Sequence, residues 1–137
     1  MRRTPPKLVT RPEHRAVLAQ LRALEPIFHR PQYFTSRRAL TQLVGADFWE
    51  VGASGRRYSR AYVMKTLAQR AGTALEDPWE TSEFHCRALA RDVYLLTYTL
   101  RQGERLTRRA TIWERAPSGW RIVFHQGTVV EDQESNG

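Results

Sequence analysis

Val93-Tyr94-Leu95-Leu96-Thr97-Tyr98-Thr99-Leu100-Arg101 runs into Gln102-Gly103-Glu104, and then into Arg105-Leu106-Thr107-Arg108-Arg109-Ala110-Thr111-Ile112-Trp113-Glu114-Arg115. Two stretches rich in β-branched and aromatic residues are separated by a link of hairpin length. A similar run, Glu80–Ala90, precedes them. Another, Trp120–Val130, follows after Ala116-Pro117-Ser118-Gly119. Strands joined this tightly must be antiparallel. Each is about ten residues long, against the five or six of an ordinary strand. Long strands in one sheet curl, and a curled sheet covered by helices encloses a concavity. Tyr94-Leu95-Leu96-Thr97-Tyr98 is apolar on both faces. One face is expected to meet the helices and the other a second subunit.

Upstream the period changes. Val17, Leu21, Leu24 and Phe28 form a single helical stripe beginning near Glu13. Pro26 interrupts it, so the regular helix should end near Glu25, and Pro31 makes a second break. A short helix follows, capped by Thr35 or Ser36, with Leu40, Leu43 and Val44 facing inward and Gly45 as its stop. Asp47-Phe48-Trp49-Glu50-Val51 reads as a strand, and Gly52-Ala53-Ser54-Gly55 as a turn. Ser59 is placed to cap a third helix with Tyr62, Val63, Met64 and Leu67 on its apolar side and Gly72 at its end. Helices followed by an antiparallel meander make an α+β domain. Residues 1–12, with three prolines, read as a flexible arm. Residues 13–130 are the domain, and the polar stretch 131–137 is a disordered tail.

Several stretches are similar to the nuclear transport factor 2-like, or SnoaL-like, superfamily. They are Leu24-Glu25 at the end of the first helix; Ala46-Asp47-Phe48-Trp49-Glu50-Val51-Gly52 with Ser54-Gly55, which matches a D-F-x-E-x-G-x-S-G pattern; and Tyr58-Ser59-Arg60 at the start of the third helix. Arg109-Ala110-Thr111-Ile112-Trp113 and the run from Gly119 to Thr128 resemble the final two strands. The likeness spans residues 15–129 and is greatest to small bacterial members of unknown function. It implies a cone: three N-terminal helices packed on a strongly curved antiparallel sheet, with a pocket open at one end. It also implies a homodimer joined through the sheet. Members isomerise steroids, cyclise polyketides, bind ligands without chemistry, or serve as assembly modules, so the fold alone does not choose among these roles. The superfamily's ketosteroid isomerases pair a carboxylate base with an oxyanion hole of tyrosine and a protonated aspartate. This chain departs from that scheme: its first helix has no tyrosine, and Glu25 lies there instead, while Asp92 falls in a turn.

Composition narrows the classes. The 137 residues suffice for one core, and no apolar run approaches the ~20 residues of a membrane span. The charged N-terminus has no apolar segment after it, so a cytoplasmic location and no membrane partner are expected. The net charge of +8 comes almost wholly from arginine, with Lys7 and Lys65 the only lysines. The arginines are scattered, and no nucleic-acid-binding motif accompanies them, so nucleic acid is not the expected partner. Cys86 is the single cysteine and reads as a buried strand residue; in a strand His85 would face away from it. His14, His29, His85 and His125 have no metal-site spacing, and no glycine-rich phosphate loop is present, so neither metal nor cofactor is indicated.

Glu50, between Trp49 and Val51, is the candidate base, since a carboxylate in an apolar pocket moves protons near neutral pH. The alternative is a structural carboxylate that fixes the Gly52–Gly55 turn. His125 and Gln126 face opposite ways, and one of them is expected to point inward, His125 as an acid–base group or as a buried polar residue satisfied by Arg109 or Glu50. Trp49, Tyr98, Trp113 and Phe124 are candidate pocket walls, or ordinary core. Glu25, Arg109 and Gln126 are candidate polar partners of a ligand. The expected activity is binding of a small apolar or aromatic molecule, with cofactor-free proton transfer of the isomerase, cyclase or dehydratase type if a reaction occurs. A non-catalytic assembly module is the alternative.

Overall fold

The computed structural model describes residues 4–28, 37–70 and 79–131. The expected break at Pro31, the cap at Thr35 or Ser36, the stop at Gly72 and all but Glu131 of the tail lie outside these residues. Helix α1 (Arg15–Leu24) buries Val17 and Leu21 on one stripe and ends where Pro26 cannot continue it. The chain tightens there into a 3-10 turn, Glu25–Phe28. Helix α2 (Arg37–Leu43) leads directly into strand β1 (Val44–Val51). Strand β2 (Arg57–Ser59) and helix α3 (Arg60–Arg70) follow. Ser59 caps α3 by accepting the Tyr62 backbone N–H at 3.2 Å. The long strands are β3 (Trp79–Ala90), β4 (Val93–Gln102), β5 (Arg105–Ala116) and β6 (Gly119–Val129).

The class is α+β, as expected, with one six-stranded sheet in the order β2-β1-β6-β5-β4-β3. The four long strands form the antiparallel meander that the short links require, with positive φ at Asp92, Gly103 and Gly119 in the turns. One pairing departs from the expected antiparallel sheet: β1 runs parallel to β6, with Trp49 beside Phe124 and Glu50 beside His125. Parallel neighbours need a long crossover, and here nearly the whole domain supplies it.

Gly45 does not stop α2. It belongs to β1, and a Cβ on it would sit 2.9 Å from the Ile122 carbonyl oxygen of β6. The glycine is there for close approach of two backbones. Arg60 of α3 gathers the carbonyls where α2 runs into β1: its Nε donates to Gly45 O at 3.0 Å, and its Nη2 donates to Val44 O at 3.2 Å and, in the last turn of α2, to Thr41 O at 3.4 Å. The guanidinium thus ties α3 to the junction of α2 and β1, and its charge suits the negative end of the helix.

One core lies between the helices and the inner face of the sheet. Val17, Leu21, Leu40, Val63 and Leu67 from the helices meet Phe48, Leu96, Leu100, Trp113 and Ile122 from the strands. The segment before α1 is tied to the edge of the sheet, where Thr10 Oγ1 accepts the Cys86 backbone N–H at 3.1 Å. Cys86 is buried, and burial raises its thiol to about 11, which keeps it un-ionised. Among the described residues no helix is long and apolar enough to cross a membrane.

The close approach at Gly45 is testable. Gly45→Ala forces β1 from β6 and should lower stability by about 1–3 kcal/mol. Urea unfolding measures it, and a variant as stable as the parent would refute the contact.

Candidate functional site

Alternation along the strands sorts the candidate residues onto two faces. One row of cross-strand partners on the inner face runs Leu96, Thr111, His125, Glu50. The next inner row brings Tyr98, Arg109 and Gly127 together. The corresponding outer row is Leu95, Ile112, Phe124, Trp49. His125 therefore points inward and Gln126 outward, and Arg109 faces in while Arg108 faces out to pair with Glu83.

Glu25 enters this inner face from above. The turn that Pro26 imposes at the end of α1 drops its carboxylate against β4 and β5, where it is 1% exposed. Three side chains donate to it: Thr111 Oγ1 at 2.6 Å and Tyr98 Oη at 2.8 Å to Oε1, and Trp113 Nε1 at 3.0 Å to Oε2. Burial pushes the carboxyl from its ordinary 4.5 up to about 7, against the three donors and the charge of Arg109, which favour the ion. Burial and the neighbouring carboxylate together raise the Tyr98 phenol well above its ordinary value, so it remains a donor.

The network continues outward. Thr111 Oγ1 is 2.7 Å from His125 Nδ1, and His125 Nε2 is 3.4 Å from Arg109 Nη1. A guanidinium only donates, so a neutral His125 ring in this contact accepts at Nε2 and carries its proton on Nδ1, the nitrogen that also lies 3.6 Å from Glu25 Oε1. Arg109 Nε donates to Thr107 Oγ1 at 3.0 Å. The Arg109 side chain lies across Gly127, where a Cβ would come within 3.3 Å of its Nε.

Arg109 is also where the network meets open space. A cavity of about 470 Å³ lies between α3, the β1–β2 turn and the end of the sheet; Glu50, Tyr58, Tyr62, Gln102, Arg105 and Arg109 are among its walls. Burial lowers the proton affinity of Arg109, and the like charge of Arg105 adds to this; Glu50 and Glu25 act the other way. Tyr58 and Tyr62 stack at 4.9 Å to form an aromatic wall.

Of the sequence candidates, Glu50 and Arg109 line the cavity. His125, Glu25, Tyr98 and Trp113 are buried beneath it and bonded to one another or to Thr111. Trp49, Phe124 and Gln126 are on the outer face, because they alternate with the inward residues of β1 and β6. Trp49 is 44% exposed and lies 4.8 Å from the Phe124 ring. These three stand away from Glu50, not beside it. Thr111, Thr107, Tyr58 and Tyr62 were not among the candidates. The signal for the threonines was present: positions 107 and 111 share the face of Arg109 and Trp113, and a polar residue on an inward face needs a partner.

No family model matches the sequence, and no curated protein is significantly similar to it. Solved structures are similar. A nuclear transport factor 2-like protein of unknown function from Silicibacter pomeroyi shares 19% identity, with 84% of this chain and 97% of that one covered at a TM-score of 0.61. One from Pseudomonas aeruginosa, also of unknown function, shares 16%, covering 82% and 98% at 0.66. A protein from Parabacteroides distasonis, provisionally named a ketosteroid isomerase, shares 13%, covering 79% and 86% at 0.57. The chain has the nuclear transport factor 2-like fold.

Glu25 fixes a pH dependence. Its carboxyl holds a proton more tightly in the folded chain than in the unfolded one. The corresponding stability is fully present below pH about 4.5 and is lost as pH rises to about 7, by about 3 kcal/mol. Glu25→Gln cannot titrate and presents an amide N–H to Trp113 Nε1, so it is less stable at low pH. Urea unfolding of both proteins from pH 4.5 to 8 should give a stability difference that shrinks by that amount. A pH-independent difference would refute the raised value.

Proposed function

We propose that the chain binds a small aromatic molecule bearing an acidic or carbonyl oxygen in the cavity between α3 and the inner face of the sheet. In this reading the helices and the curled sheet form a cone, with Glu50 and Arg109 at its mouth. The observation that carries it is that Glu50 and Arg109 wall the same cavity as the stacked Tyr58–Tyr62 pair. Aromatic rings provide apolar area, and a few convergent polar groups orient the ligand. Arg109 would hold the oxygen, since a guanidinium recognises carboxylates and enolates with two donors. Glu50 would accept a proton from the carbon next to it, and Arg109 would stabilise the charge that develops. Isomerisation, dehydration and cyclisation all fit that exchange.

Benzoate and 4-hydroxybenzoate are suitable probes. Titrated into 15N-labelled protein, they should shift the amides of Gly52, Tyr58, Val63 and Arg109. Arg109→Met should weaken binding about tenfold, a loss of about 1.4 kcal/mol. Shifts confined to the outer face, or none, would sink the reading. Once a substrate is in hand, Glu50→Gln that keeps full turnover would remove the proposed base.

The outer row supports a second reading alongside this one, a homodimer through the sheet. Leu95, Ile112, Phe124 and Trp49 form a continuous apolar ladder across four strands, and Trp49 at its end is exposed. Such a row on a solvated face marks a contact surface. Sedimentation at micromolar concentration should give twice the chain mass, and Trp49→Glu should halve it. A monomeric parent protein would end this reading and the assembly role with it.

A further inference from the structure

The row Thr111–His125 connects two things that are otherwise separate: a carboxyl sealed from solvent and an arginine on the cavity wall. Thr111 has one hydroxyl proton and two neighbours for it, Glu25 Oε1 at 2.6 Å and His125 Nδ1 at 2.7 Å. It can donate to only one of them and must accept from the other. With Glu25 ionised, Thr111 donates to Oε1, His125 donates Nδ1–H to Thr111, and bare Nε2 accepts from Arg109. With Glu25 protonated on Oε1, the carboxyl donates to Thr111. The hydroxyl then turns to Nδ1, and the ring proton must sit on Nε2. Nε2–H and the Arg109 N–H are both donors, so their contact breaks. Thr111 offers Oε1 a shorter contact than Tyr98 does, so the acid proton goes to the threonine.

We propose that Thr111 and His125 form a proton path between the cavity and the buried carboxyl of Glu25, and that each transfer exchanges the two neutral tautomers of His125 and makes or breaks its contact with Arg109. The atoms balance. A water or ligand acid in the cavity gives a proton to Nε2, the Nδ1 proton moves to Thr111 Oγ1, and the Thr111 proton moves to Glu25 Oε1. One proton enters and one arrives, and nothing is oxidised or reduced. The reverse sequence empties Glu25. His125 is 1% exposed, while Arg109 touches both its Nε2 and the cavity, so movement of Arg109 admits the proton. The titratable and charged groups around the path are Tyr98 of β4, Arg109 of β5 with Arg105 and with Glu50 of β1 acting on it, and His125 of β6. Thr111 and Glu25 are then positioning residues for Arg109: the state of a carboxyl out of a ligand's reach sets whether the guanidinium is held by the ring or free to bind.

The consequence for a ligand rests on the binding reading above, whereas the path itself does not. Protein labelled with 15N-histidine reports the ring nitrogens directly, and His125→Gln identifies the signals. The side-chain carboxyl carbon of Glu25 is followed in the same samples from pH 5 to 9. The expected result is Nδ1–H at high pH and Nε2–H at low pH. Their ratio should change about tenfold per pH unit around the midpoint at which Glu25 titrates. Thr111→Val should uncouple the two, and Thr111→Ser, which keeps the hydroxyl, should retain the coupling if the valine variant does not fold. One ring form throughout while Glu25 titrates, or an imidazolium signature, would overturn the path. If the aromatic acids fail to bind while the tautomer still tracks Glu25, the binding reading fails alone.

Discussion

A buried carboxylate holds this architecture in register. Glu25 lies at the point where Pro26 ends the first helix, and its two oxygens collect donors from Tyr98, Thr111 and Trp113. Those three residues sit on adjacent central strands, so a single side chain fixes the end of α1 over β4 and β5. An isolated ion in that position would be prohibitively costly, and three hydrogen bonds offset much of the desolvation. The remainder of the cost appears as the raised proton affinity. Apolar contacts at Val17 and Leu21 press the helix onto the sheet without specifying its angle; the carboxylate specifies it.

The same inner face then grades from sealed to open. Trp113 is wholly buried, His125 nearly so, and Arg109 reaches the cavity. Gly127 leaves the space that the Arg109 side chain occupies, and Thr107 holds its Nε. Glu50 arrives from β1, one strand beyond His125 in the same row. The charges at the cavity are thus placed by rigid strands, which favours a fixed geometry over an adaptable one.

The meander was legible in the sequence because its information is local. Hairpin-length links at Gln102-Gly103-Glu104 and Ala116-Pro117-Ser118-Gly119 dictate antiparallel neighbours, and alternation dictates that His125 and Gln126, or Arg108 and Arg109, part to opposite faces. Pro26 likewise announced the end of α1. The role of Gly45 was not legible, since a glycine after Leu43-Val44 looks like a helix stop unless Ile122 is known to lie against it. The outer-face placement of Trp49 and Phe124 follows from the same alternation once Glu50 and His125 are known to point inward. An aromatic residue next to a candidate carboxylate in sequence is, in a strand, on the other side of the sheet. Thr111 escaped notice because a threonine in a strand is unremarkable until its register against Glu25 and His125 is fixed, and register is a long-range property.

The parallel pairing of β1 with β6 has a further bearing on how the chain acquires its structure. Every other pairing in the sheet joins strands adjacent in sequence, and these hairpins close over short loops. The β1–β6 pairing joins the first strand to the last, the kind of distant contact that slows folding. A ribosome delivers β6 after the other five strands, so a nascent chain holds β1, with Glu50 on it, unpartnered along that edge until β6 has emerged. The two halves of the cavity wall, Glu50 with Tyr58 and Tyr62 on one side of β6 and Gln102, Arg105 and Arg109 on the other, are consequently joined only when β6 docks between them.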